Sequence, residues 1–129
     1  MDVGRLFITP DVDEYARKHR WTDDLFVQIV KDIARGLNDG ALGSNVYKRR
    51  VARKGSGSSG GYRVVVVMQV GDKAFFVDAF AKNVKQKHTP EEVRALRGFA
   101  DALLAMSDAQ IKAALRAGDL REIHEHEEN

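Results

Sequence analysis

Apolar residues along this chain change their spacing several times, and each change marks an element. Leu6, Phe7 and Ile8 form a short apolar run that stops at Thr9-Pro10. The run predicts a first strand. Thr9-Pro10 predicts a helix start, because proline's fixed φ suits the first helical turn, where its missing N–H costs nothing. This helix extends to about Arg20, with Trp21 as a hinge and Thr22-Asp23-Asp24 opening a second. Leu25, Phe26, Ile29, Val30, Ile33 and Leu37 recur at helical spacing and predict one apolar face. Asn38-Asp39-Gly40 ends it, and Gly43-Ser44-Asn45 reads as loop.

The pattern then turns strand-like. Residues 46–53, 62–70 and 74–80 predict three strands, the last two joined by a tight turn at Gly71-Asp72. Val64 to Val67 run without a polar break, as in a strand covered on both faces. Thr89-Pro90-Glu91-Glu92 predicts another helix, with Thr89 as cap and Glu92 at the capping-box position. Val93, Leu96, Phe99, Ala100, Leu103 and Leu104 form its apolar face. Ser107 and Gln110 frame a short helix ending at Gly118, residues 120–123 suit a final edge strand, and 124–129 form a polar, acidic tail. The order β-α-α-β-β-β-α-α, with that terminal strand, predicts an α+β fold. We expect a single domain over 1–123, a mainly antiparallel sheet, and helices on one of its faces. Its core should include Leu25, Ile29, Ile33, Val65, Val67, Phe75, Leu96 and Phe99.

Charge changes this picture from fold to function. The net charge is only +2, yet residues 40–88 hold ten Lys and Arg against two Asp. The rest of the chain therefore carries the acid excess. No acid lies between Asp39 and Asp72, so Lys48, Arg49, Arg50, Arg53, Lys54 and Arg63 have no local counter-charge in the sequence. An uncompensated basic hairpin calls for an external anion, and a nucleic-acid backbone is the first to consider. Strand alternation places Lys48, Arg50 and Lys54 on one face, and Tyr47, Arg49, Val51 and Arg53 on the other. With Tyr47 and Val51 as core anchors, Lys48 and Arg50 should face solvent. Arg63 should return beside Arg50 or Arg53, and Lys82 should approach the same surface.

The other candidate chemistry is sparse. There is no cysteine, which excludes disulfides, thiolate nucleophiles and thiolate metal sites. The opening Met-Asp-Val-Gly-Arg lacks a basic-then-apolar leader pattern, and the run 64–68 is too short to span a bilayer; a cytoplasmic protein is expected. Gly55-Ser56-Gly57-Ser58-Ser59-Gly60 has the glycines of a dinucleotide loop, but a strand rather than a helix follows, so it reads as a flexible hairpin tip. In the second basic stretch, 82–88, His88 has the one side chain with a reference pKa near neutrality, about 6.5. It is a candidate general base. Lys82 and Lys85 are rivals, since neighbouring cations ease a lysine's deprotonation. His124 and His126 sit among Glu122, Glu125, Glu127 and Glu128, but such a tail supplies neither rigidity nor ligand count for a metal.

These residues resemble a known family. Tyr47-Lys-Arg-Arg-Val-Ala-Arg53, Ser59-Gly-Gly-Tyr-Arg63, Gly71-Asp-Lys-Ala-Phe-Phe76 and Phe80-Ala-Lys-Asn83 are similar to the RelE/HigB-like toxins of type II toxin–antitoxin modules. The resemblance covers most of the chain. It implies a microbial-ribonuclease-like fold and cleavage of mRNA in the ribosomal A site, without metal or cofactor. A cognate antitoxin, expected to be a helix-turn-helix protein, would relieve it. The 2′-hydroxyl attacks the adjacent phosphate while cations stabilise the transition state. By the same resemblance, Lys48 and Arg50 match the family's alternating basic pair, Arg63 its phosphate ligand and Lys82 the basic residue that closes the next strand; with the residues read above, Arg50, Arg63, Lys82 and His88 are expected to be catalytic, and Lys48, Arg53, Lys54, Lys85 and Lys87 to bind RNA. Asn83 stands where RelE proper has arginine, and the tyrosine of RelE proper has no counterpart between Asn83 and Pro90. His88, Lys85 or Lys87 are the candidates to replace it. Two alternatives stand beside this reading: a ParE-type toxin acting on DNA gyrase, and a non-catalytic nucleic-acid-binding module.

Overall fold

A computed structural model describes residues 4–52, 61–84 and 87–124. The elements are β1 (Arg5–Ile8), α1 (Pro10–His19), α2 (Asp23–Ala34), β2 (Gly40–Gly43), β3 (Val46–Val51), β4 (Tyr62–Gln69), β5 (Lys73–Ala81), α3 (Pro90–Leu104), α4 (Asp108–Ala117) and β6 (Arg121–Ile123). The strands form one sheet in the order β2-β3-β4-β5-β1-β6. The fold is α+β, as the periodicities predict.

The sheet is mainly antiparallel, as expected, with one parallel pair. β1 runs parallel to β5, from Arg5 opposite Lys73 to Ile8 opposite Phe76. The other pairs are antiparallel. The parallel pair arises because β1 enters the sheet alongside the β4–β5 turn, where the Arg5 amide donates to the Asp72 carbonyl at 2.9 Å. Gly4 makes the approach possible. Its φ is +76°, and a Cβ there would sit 2.2 Å from the Asp72 oxygen.

Helices cover both faces, which corrects the expectation of one. Val64, Val66 and Met68 of β4 pack with Phe26, Val27, Val30 and Ile33 of α2 and with Val12 and Ala16 of α1. Val65 and Val67 point the other way, into a cluster with Phe7, Phe75, Ala100, Leu103 and Ile111, where α3 and α4 pack. The unbroken apolar run of β4 already requires two covers, because alternate side chains leave on opposite sides.

Two element boundaries and one helix cap differ. The apolar face of α2 stops at Ile33; Gly36 at φ +86° turns the chain, and Leu37 is 48% exposed. Gly40–Gly43, read as helix terminator and loop, pairs with β3 as a short edge strand. Four residues that begin and end in glycine show no alternation that would reveal a strand. Thr9 sits at the N-cap of α1, but its hydroxyl donates to the Phe76 carbonyl on β5 instead of accepting from the helix. The capping box at Thr89 and Glu92 forms as expected, and Ser107 and Gln110 form a second. Of the predicted core, Ile29, Ile33, Val65, Val67 and Phe75 are buried, while Leu25 and Leu96 are half-buried against the clusters. Phe99 is corrected: it is 46% exposed, because α3 buries Ala100 and Leu103 instead.

Among the described residues no helix is long and apolar enough to cross a membrane.

Candidate nucleic-acid interface

Register turns the basic stretch into a surface. On β3 and β4, Lys48 lies opposite Val65, and Arg50 lies opposite Arg63. Val65 belongs to the α3 cluster, so Lys48, Arg50 and Arg63 share the α3 side of the sheet. Across β4, Arg63 also faces Phe80 of β5. A register shift between Val65 and Val66 inserts one extra β5 residue at this end of the sheet, and so keeps Asp78 and Phe80 on the same side as Val65 and Arg63. His88 packs edge-on against Phe80, with ring centroids 5.5 Å apart and planes at 73°. The sequence-predicted residues Arg50, Arg63 and His88 are thus connected through Phe80 in one patch.

The patch is anchored from Asp39 and the start of β2. The Asp39 carboxylate accepts from the Arg50 amide at 2.6 Å, and the Asp39 amide donates to the Lys48 carbonyl at 2.8 Å. The stem of Lys48 passes over Gly40, where a Cβ would meet its Cε at 3.1 Å. Lys82 directly follows β5, and its amide donates to the Gly61 carbonyl at 2.9 Å, extending the β4–β5 pairing by one step. Lys87 is exposed beside His88. Arg53, Lys54 and Lys85, together with the Gly55–Gly60 stretch and His126, lie outside the described residues.

Electrostatics separate these cations from their neighbour. The expectation that no acid compensates the hairpin is corrected at Arg49. Its guanidinium pairs with Asp32 at 3.2 Å and with Asp39 at 3.5 Å, acids supplied by α2 and the segment after it. Burial pushes the Asp32 carboxyl up, but hydrogen bonds from Gln28, Arg35 and Arg49 outweigh it and hold the group below the usual carboxylate range. Lys48, Arg50, Arg63 and Lys82 form no ion pair among the described residues. Arg63 Nη1 is shielded from solvent and has no hydrogen-bond partner among them. A buried guanidinium N–H without an acceptor is costly, and an anionic oxygen is the group that satisfies it best. Two arginines facing each other across a strand pair can hold two oxygens of one phosphate.

Four residues of this region were not read from the sequence as site residues: Asp78, Phe80, Glu92, read as a helix cap, and Phe99, read as core. Asp78 and Phe80 were recoverable, since their spacing by two places both on one strand face. The opposite side of the sheet carries a further cluster. The rings of Tyr15, His19, Trp21 and Tyr62 lie within 4.3–6.0 Å of one another. Burial, with a smaller contribution from Tyr62, pushes the Tyr15 hydroxyl above its ordinary pKa. Trp21, read from the sequence as a hinge, packs there against the core.

Compared with known proteins, the sequence matches the family model described as the RelE toxin of the RelE/RelB toxin–antitoxin system, over residues 4–123. No curated protein matches it.

Proposed function

The chain belongs to the RelE toxin family, and on that premise we propose that it is an endoribonuclease that cleaves mRNA in the ribosomal A site. A toxin of this family pairs with a RelB-type antitoxin. The finer reading rests on one observation above all: Arg63 faces Arg50 in register, and its Nη1 is buried without an acceptor among the described residues.

The chemistry follows from that pair. The ribose 2′-oxygen forms a bond to the adjacent phosphorus while the bond from phosphorus to the 5′-oxygen breaks. The products are a cyclic phosphate and a free 5′-hydroxyl. Negative charge grows on the non-bridging oxygens, and Arg63 and Arg50 donate to them, with Lys82 as a third cation. His88 removes the 2′-hydroxyl proton, and an acid returns one to the departing oxygen. Lys48 and Lys87 hold the flanking backbone, joined by Arg53, Lys54 and Lys85. An antitoxin, expected to be a helix-turn-helix protein, would lay an acidic segment over the same cations and thereby exclude RNA.

Mapping mRNA 5′ ends on programmed ribosomes tests this. Wild type should cut within A-site codons. His88→Ala should lower the rate strongly and remove the acidic limb of its pH profile, since a base loses activity as it protonates. A His88→Ala profile like wild type would pass the base role to a lysine. No cleavage, with gyrase inhibited instead, would move the protein to the ParE-type activity.

A further inference from the structure

The two flanks of α3 differ in charge. Toward β5, Glu92, Leu96 and Phe99 line a groove of about 310 Å³ together with Asp78 and His88. That flank brings two carboxylates to the surface. Toward β2 stand Arg94 and Arg97, spaced so that both lie on one side of the helix. Both are exposed, and neither forms an ion pair among the described residues. Glu91 and Asp101, one helical turn before and after them, form none there either.

Arg97 is held in place by the sheet. Its Nε donates to the Leu42 carbonyl of β2, and its guanidinium rests on Gly43, where a Cβ would meet Nε at 3.0 Å and Nη2 at 3.1 Å. That bond uses the inner N–H of the fork and leaves the two outer amino groups for another acceptor. Lys48 sits on the same edge strand, with its stem across Gly40. Gly40 and Gly43 thus seat one cation each, about 10 Å apart along β2. Arg50 follows Lys48 on β3 by a step of about 7 Å and faces Arg63. Leu42 packs into the α3 cluster, so this whole line of cations lies on the α3 side of the sheet.

Resting on the proposed ribonuclease reading, we propose that the backbone of the bound message follows this line. It runs from the phosphate on Arg63 and Arg50, past Lys48, to a further phosphate held by Arg97 and Arg94. The steps suit successive phosphates of an extended single strand. The glycines of β2 put no side chain of their own between Lys48 and Arg97. Arg97 is pre-set by its carbonyl, so less freedom is lost when it binds. Arg94 stands one turn nearer the start of α3 and overlooks the same line. The helix is then a binding element remote from the bond that breaks, and its arginines act on affinity, not on the chemical step.

The test compares a dinucleotide and a hexanucleotide of 2′-deoxyuridine, which cannot be cleaved, in titrations of the full chain followed by NMR. Wild type should bind the hexanucleotide more tightly, and the side-chain N–H signals of Arg94 and Arg97 should shift with it alone. Arg94→Gln combined with Arg97→Gln should leave dinucleotide binding unchanged and remove the advantage of length. The slope of log K against log salt for the hexanucleotide should become shallower by about 0.7, the value for one single-strand phosphate contact. Arg94→Glu alone keeps the bond from Arg97 to Leu42. It should weaken hexanucleotide binding with the melting temperature unchanged, which separates binding from any part Arg97 plays in securing β2. An unchanged length advantage and slope in the double variant would overturn the path and leave the phosphate site at Arg63 intact. Dinucleotide binding that survives Arg63→Ala would count against that site instead; the path then stands only if the double variant still lowers the hexanucleotide slope. Weaker binding to ribosomes that carry no A-site message, with hexanucleotide binding unaffected, would give the two arginines to ribosomal RNA, and the path falls. An effect confined to antitoxin binding removes it likewise.

Discussion

Arg49 and Arg50 are neighbours in sequence and opposites in circumstance. Arg49 points to the α2 side, where Asp32 and Asp39 meet its guanidinium. Arg50 points to the α3 side beside Arg63, and no acid pairs with either among the described residues. One step along a pleated strand divides a cation that serves the fold from a cation free to serve a ligand. Charge density alone could not separate them; the side of the sheet does.

Arg63→Ala is the hardest break of that contrast. It should lower single-turnover cleavage on programmed ribosomes by roughly a hundredfold to a thousandfold, the usual effect of losing one transition-state donor. Arg63→Lys should restore little, because an ammonium lacks the planar fork. Full activity in both Arg63→Ala and Arg50→Ala would refute the phosphate site. Arg50→Ala alone should cost less, about tenfold, and leave the melting temperature unchanged or raised, because it relieves like-charge repulsion across the strand pair.

The other side should answer in stability instead of activity. Asp32→Asn removes the charge and one of the two oxygens that between them accept from Gln28, Arg35 and Arg49, and should destabilise by about 1–3 kcal/mol in denaturant titration. The pH dependence has a defined sign. The Asp32 and Glu122 carboxyls are held below their ordinary values in the folded protein, Glu122 chiefly by the hydrogen bond from Arg5. Their contribution is complete above the ordinary carboxylate pKa, near 4, and is lost as pH falls through the lowered native values. Asp32→Asn should therefore flatten the acid limb of the stability curve. An unchanged acid limb would remove Asp32 from the account. The smallest effect is expected at Arg49→Ala: about 0.2–1 kcal/mol of stability, with cleavage kept within a few-fold of wild type. A thousandfold loss there would erase the distinction between the two sides.

Local chemistry made much of this legible in the sequence. The alternation of Tyr47 and Val51 with Lys48 and Arg50 identified the basic face, and Thr89 with Glu92 fixed the start of α3. Pairing between distant segments was not legible. Nothing near Arg49 in the sequence announces Asp32, because that ion pair depends on how α2 docks. The short strand β2 carries no period, and the parallel placement of β1 depends on Gly4 meeting the Asp72 turn. Phe99 looked like core because helical spacing finds an apolar stripe but not its width. The convergence of Asp78 and Glu92 on one groove was not legible either, since it depends on how α3 docks against the sheet.

Arg5 grips Glu122 through two hydrogen bonds of 2.9 Å, across 117 residues of chain. Arg121 beside it holds Asp13 and Asp23 bidentately, joining α1, α2 and β6. The cation-bearing β4 and β5, by contrast, are joined through a tight turn. Closing a long loop costs more entropy than closing a short one. The β4–β5 hairpin is therefore expected to form early, and the Arg5–Glu122 and Arg121 clasps last. Substitutions at Arg121 should then mainly speed unfolding, whereas substitutions at Val65 or Phe75 should slow folding. The two ends of the chain act as a late fastening on a hairpin already made.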